Sequence, residues 1–146
     1  MPLVLNANEI ILVSACLAGE ACRYDGSSAP QQEILRLASL GRVIAVCPEV
    51  LGGLGTPRNP VELREGRAID RSGDDVTGAF LAGAHKCLAL AQEAGCRRAV
   101  LKARSPSCGA GMVYDGSFSS KLVPGDGMLA ALLLSSGIEV LSEEDL

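Results

Sequence analysis

The sequence predicts an α/β fold: one compact domain with a small, mainly parallel sheet flanked by helices, Rossmann-like in plan. Three observations carry this. Short aliphatic runs alternate with amphipathic helical runs in the order strand, helix, strand, helix, strand, helix, strand, the pattern of right-handed parallel crossovers. The apolar share of 48% comes from Ala, Val, Leu and Ile, with no Trp, two Tyr and two Phe, as suits a sheet covered by helices. Three cysteines also stand where a strand-like run gives way to loop, the edge at which open parallel sheets bind ligands.

The first strand, Ile10 to Ala15, ends in Cys16 and opens a loop that runs through Cys22 to the turn at Asp25-Gly26. Ile34, Leu35, Leu37 and Ala38 form one stripe of a helix from about Pro30 to Leu40, with Gly41 as its stop. The second strand, Arg42 to Val46, ends in Cys47. A Gly/Pro-rich segment, Pro48 to about Asp75, follows, and a loop of that length in a compact domain is usually functional. Asp74 or Asp75 caps the longest helix, which places Val76, Phe80, Ala84, Cys87, Leu88 and Ala91 at core spacing and ends at Gly95. The third strand, around Ala99 to Ala103, leads to Cys108. A second rich loop spans Gly109 to Asp126, and its Tyr114-Asp115-Gly116 echoes Tyr24-Asp25-Gly26 as a repeated turn. A helix from Met128 to about Ser135 and a strand from Ile138 to Leu141 complete the chain.

The formal charge of −4 argues against a surface that tracks nucleic-acid phosphates, so no duplex partner is expected. No apolar run approaches the roughly 18 residues of a membrane span, and the first nine residues lack the character of a signal peptide. They read as a short extension ahead of a domain from 10 to 146. The chain therefore reads as cytoplasmic, where thiols stay reduced. Six cysteines there call for metal binding, catalysis or simple burial. Oligomeric state leaves no sequence signature.

Cys87 and Cys96, in and just past the long helix, read as small core residues. Cys22 shares a loop with Cys16 and reads as a fourth ligand, a sulfur-handling thiol or neither. Cys16, Cys47 and Cys108 differ because Gly19, Pro48 and Gly109 follow at short range and admit a bulky inorganic group. Either they converge on one metal or cluster, or they fill the sheet edge. Three thiolates, unlike four, leave one coordination position open. No Cys-x-x-Cys occurs, so zinc ribbons and thioredoxin-type sites fit poorly, and the one histidine, His85, lies on the long helix.

Glu49 follows Cys47 by two residues, and Ser105 precedes Cys108 by three. Together they supply a proton-handling carboxylate and a donor hydroxyl beside the thiols. Arg58 and Arg104 either hold substrate oxygens or pair with carboxylates. Gly125-Asp126-Gly127 opens the last helix, where free N–H groups would suit a phosphate, or it is only a helix start.

These segments together resemble the thiouracil desulfidase family, formerly a bacterial family of unknown function. The resemblance rests on Val13–Leu17, Cys22–Gly26, Val46–Gly53, Thr56-Pro57-Arg58, Lys102–Gly109, Tyr114-Asp115-Gly116 and Gly125-Asp126-Gly127. Departures are small: Ala18 where a leucine is expected, and Gly55 and Asn59 where prolines are common. The resemblance implies a [4Fe–4S] cluster held by Cys16, Cys47 and Cys108 with one iron open, and acid/base roles for Glu49 and Ser105. The implied reaction is non-redox desulfuration of a small thiopyrimidine, with hydrogen sulfide released. Some relatives carry a further C-terminal domain, so this chain reads as a minimal enzyme. Base, nucleoside and nucleotide stay open as substrates, a phosphate seat at Gly125 to Gly127 favouring the nucleotide.

Two other classes compete. A non-catalytic metal- or redox-sensing protein would use the same thiols without releasing sulfide. A nucleotide-binding α/β module would keep its fold and ligand with all three cysteines replaced. The clustering of polar loop residues beside the thiols favours the enzyme.

Overall fold

A computed structural model describes residues 3–146; Met1 and Pro2, part of the expected extension, lie outside the described residues. Four strands form the central sheet: β1 (Ile11–Ser14), β2 (Val43–Val46), β5 (Arg98–Leu101) and β8 (Glu139–Ser142). All pair in parallel, in the order β2-β1-β5-β8. The chain steps from β1 to β2 on one side and then crosses back to β5 on the other. The order therefore reverses between β1 and β5, whose carboxyl ends carry Cys16 and the Ser105–Cys108 loop. Such a reversal is where open α/β sheets form their ligand crevice.

The same reversal puts helices on both faces, because right-handed crossovers made in opposite directions use opposite faces. α1 (Gln32–Ser39) packs Ile34 and Leu37 against Ile11, Val13 and Val100. α3 (Thr77–Glu93) and α4 (Met128–Ser135) pack against Leu12, Ala99 and Leu101 on the other face. Side chains of β1 thus alternate between two cores, as the period of a strand requires. Leu35, expected on the buried stripe, is 41% exposed. Gly41, with φ +70°, ends α1, and Gly95 does the same after α3. The cap of α3 is Val76, and Asp75 sits one residue earlier, its carboxylate accepting the Thr77 N–H at 2.9 Å.

Both long loops contain structure that the sequence reading left out. Pro48 to Asp75 holds the short helix α2 (Pro48–Leu51) and a hairpin of β3 (Val61–Arg64) and β4 (Arg67–Asp70). Its turn residues Glu65 and Gly66 both have positive φ, +51° and +78°, as a type I′ turn requires. Val61 and Ala68 of this hairpin bury against Phe80 of α3. The second loop folds into a hairpin of β6 (Met112–Tyr114) and β7 (Leu122–Pro124). Ahead of β1, Glu9 takes two hydrogen bonds from Arg98, which ties this segment to the sheet. No helix among the described residues is long and apolar enough to cross a membrane.

Candidate active site

A cavity of about 400 Å³ opens at the carboxyl ends of β1, β2 and β5, and Cys16, Cys22, Cys47 and Cys108 all line it. All six cysteines are free thiols. Cys16 sits in a 3-10 turn (Ala15–Ala18) directly after β1. Cys47 is the N-cap of α2, with Pro48 in the first helical position. Cys108 follows a tight loop in which Ser105 Oγ accepts the N–H groups of Ser107 and Cys108, at 3.2 and 3.1 Å. The Ser14 hydroxyl oxygen accepts the Lys102 N–H at 2.9 Å and fastens the ends of β1 and β5 together.

Burial dominates the acidity of Cys16, Cys22 and Cys108. It raises Cys16, with neighbouring Cys47 adding to the effect and Arg23 and Lys102 opposing it. It raises Cys108 well above the usual thiol range, while the adjacent Ser14 hydroxyl pulls the other way. Cys22 is pushed up to about 12 by burial and by Cys47 and Cys16 beside it. Metal coordination needs thiolates, so loading a metal here would release protons. No group of three His, Cys, Asp or Glu among the described residues is arranged to hold a single metal ion. Cys87 and Cys96 lie in the core packed against α3 and α4, as their positions suggested.

Glu49 is the second residue of α2, and both its oxygens are engaged. Oε1 accepts Arg58 Nε at 3.0 Å, and Oε2 accepts the Ser107 hydroxyl at 2.6 Å. Arg58 spends its remaining donors on protein: Gly55 O and Thr56 Oγ1 through one nitrogen, and Cys22 O at 2.9 Å and Cys47 Sγ at 3.9 Å through the other. It is therefore a scaffold for Glu49 and the Cys22 loop. Arg104 pairs with Glu144 at 2.9 Å. Both arginines thus take the carboxylate-pairing alternative. Ser105 already accepts two N–H bonds, which uses its acceptor capacity and leaves its O–H as a donor toward the cavity.

The anion seat expected at Gly125 to Gly127 is filled from within. The first N–H groups of α4 go to backbone carbonyls, Met128 to Pro106 O and Leu129 and Ala130 to Ser107 O. Neither Gly125 nor Gly127 lines the cavity. Gly127 instead allows a close backbone approach, since a Cβ there would lie 2.5 Å from Ser107 C. The two echoed turns prove equivalent. Asp25 and Asp115 each accept the N–H of the serine two residues on, with glycine at positive φ between, and both turns present a tyrosine to the cavity.

Residues 11–145 match the model of the family described as 2-thiouracil desulfurase. The chain belongs to that family. It is 43% identical over 147 residues to YbbK of Bacillus subtilis (strain 168), covering 94% of this chain and 97% of that protein. It is 46% identical to a solved structure, the [4Fe-4S]-dependent thiouracil desulfidase TudS. That match has a TM-score of 0.91 and covers 94% of this chain and 93% of the other.

Of the ten residues that the sequence of this desulfurase-family chain singles out, Cys16, Cys22, Cys47, Cys108, Glu49, Ser105, Arg58 and Arg104 line this cavity, and Gly125 and Gly127 do not. The sequence reading passed over Ser107, 1% exposed and bonded to Glu49. The available signal was a second serine directly beside the last cysteine. It also passed over the aromatic and basic outer wall, where Arg71 stacks 5.6 Å over Phe118.

Proposed function

We propose that this chain replaces the sulfur of a thiolated pyrimidine, thiouracil or its nucleoside or nucleotide, with oxygen. The reaction is non-redox: thiocarbonyl and water become carbonyl and hydrogen sulfide, in the reducing cytoplasm. One observation carries the reading: Cys16, Cys47 and Cys108 share a cavity with Glu49 and Ser105, in a chain of the 2-thiouracil desulfurase family.

The residues fit a [4Fe–4S] cluster, the cofactor named for the 46% identical TudS. Cys16 and Cys108, both buried, and the half-buried Cys47 come from three strand ends and line one cavity. Cys16, Cys47 and Cys108 would hold it. When bound, such a cluster supplies a thiophilic Lewis-acid position for the substrate sulfur.

The chain's own groups do the rest. The cavity, about 400 Å³, matches a small-molecule ligand, and Tyr24 and Tyr114 give it aromatic walls for a pyrimidine ring. Glu49, held by Arg58 and Ser107, takes a proton from the water whose oxygen adds to the thiocarbonyl carbon. Ser105 donates its hydroxyl hydrogen to the ring or the departing sulfur. The net gain on the sulfur equals the two protons of the water, one passed by way of Glu49 and the other through Ser105, whose hydroxyl is thereby restored.

The test is sulfide release from 2-thiouracil and its nucleotide by anaerobically reconstituted protein, beside Glu49→Ala. The reading expects turnover by the parent, and an intact cluster without turnover in the variant. No sulfide from any thiopyrimidine would refute the activity, and full turnover by Glu49→Ala would refute the role of the carboxylate.

A further inference from the structure

We propose that Ser107 is a positioning residue that aims the Glu49 carboxylate into the cavity, with Arg58 as its counterpart on the other oxygen. This rests on the desulfidase reading above and adds a residue that it does not require.

Every polar group of Ser107 is spent, and each bond runs to a different part of the site. Its carbonyl accepts the Leu129 and Ala130 N–H groups of α4 at 2.8 and 3.2 Å. Its N–H donates to Ser105 Oγ at 3.2 Å. Its hydroxyl donates to Glu49 Oε2 at 2.6 Å. The backbone of Ser107 is thus pinned to the first turn of a core helix, and the side chain is 1% exposed. A serine serving only local needs bonds to backbone within a turn of itself. This one reaches across 58 residues to another element.

What it reaches is otherwise loosely held. α2 has four residues, and Glu49 has several rotatable bonds facing an open cavity. One donor would let the carboxylate swing about that bond. Two donors, one on each oxygen, set its plane. The Ser107 bond also joins the loop carrying Ser105 and Cys108 to the helix that begins at Cys47. The proton acceptor, the donor hydroxyl and two of the thiols are therefore fixed relative to one another through this hydroxyl. Arg58 alone ties Glu49 to the Cys22 side and leaves it independent of the Cys108 loop.

The experiment compares the anaerobically reconstituted parent with Ser107→Ala, Ser107→Thr and Ser107→Val. Thr and Val share a shape and differ in the hydroxyl, so that pair stays informative if Ala folds poorly. The proposal expects unchanged iron and sulfide content and KM within about twofold of the parent. It expects kcat lower by roughly 10- to 100-fold in Ala and Val, and largely restored in Thr, the scale of one charge-assisted hydrogen bond. In Glu49→Gln, adding Ser107→Ala should cost little more, because the serine acts through the carboxylate. A crystal structure of Ser107→Ala should show the Glu49 carboxylate turned from its position in the parent. Parental kcat in Ala and Val, or an unmoved Glu49, would overturn the positioning role while leaving the desulfidase reading intact. Absence of sulfide release by the parent would instead sink that reading. The Glu49 orientation would still judge Ser107.

Discussion

Gly83 does not touch the cavity, yet replacing it with alanine should disable the site. α2 and α3 meet through backbone: a Cβ at Gly83 would lie 1.7 Å from Pro48 O and 2.7 Å from Pro48 C, and one at Gly52 would lie 2.0 Å from Ala79 O. These are main-chain atoms with no rotamer to relieve the clash, so α2 must retreat on the order of 1 Å. Overpacking of this kind costs about 3 kcal/mol, offset by about 1 kcal/mol for the better helix propensity of alanine. The net of about 2 kcal/mol corresponds to a melting temperature lower by about 4–8 °C for a chain of this size. The larger effect is on chemistry. α2 carries Glu49, two residues after Cys47, and with the proton-handling role proposed for Glu49 a 1 Å misplacement costs roughly 100-fold. Gly78, in the same helix with nothing within 4 Å, is the control: Gly78→Ala should stabilise by up to about 1 kcal/mol and leave turnover unchanged. Thermal melts and sulfide release read both variants. A Gly83→Ala protein that melts and turns over like the parent would refute the close-packing argument.

Two further expectations concern single side chains. Ser105→Ala strips the buried Ser107 and Cys108 N–H groups of their acceptor, at about 1–3 kcal/mol, and removes the donor hydroxyl from the cavity. Ser105→Thr should recover the stability, and an unchanged melt in Ser105→Ala would contradict this. Asp75 is held down at about 2 by hydrogen bonds from Arg67 and Thr77, against about 3.9 for an unfolded chain. Its lowered pKa therefore contributes stability that is complete above about pH 4 and lost as pH falls toward 2. Denaturation midpoints of Asp75→Asn should be lower at pH 7 and converge on the parent near pH 2. Parallel curves would rule it out.

The sheet and its helices were legible because their signals are periodic. Ile11, Leu12 and Val13 form an apolar run too short for a helix, and the residues of α3 recur at helical spacing. The hairpins were not, because strands of three or four residues, whether charged on one face like Val61–Arg64 or uncharged like Met112–Tyr114 and Leu122–Pro124, are too short to show a period in a one-dimensional reading. The cysteines could be placed because the end of a strand is a local property. Ser107 could not, because its role is a contact with Glu49 across the fold. The helix start at Gly127 misled for the same reason. Its N–H groups suit an anion in isolation, and only the folded chain delivers the Pro106 and Ser107 carbonyls that consume them.

The central claim is that three particular thiols hold the cofactor. The most direct measurement is iron and acid-labile sulfide per chain, with Mössbauer spectra, after anaerobic reconstitution of the parent and of Cys16→Ser, Cys47→Ser, Cys108→Ser and Cys22→Ser. The account expects about four irons per chain in the parent and in Cys22→Ser, and loss of the cluster in each of the other three. A cluster that survives the loss of Cys16, Cys47 or Cys108, or one that disappears with Cys22, would contradict it.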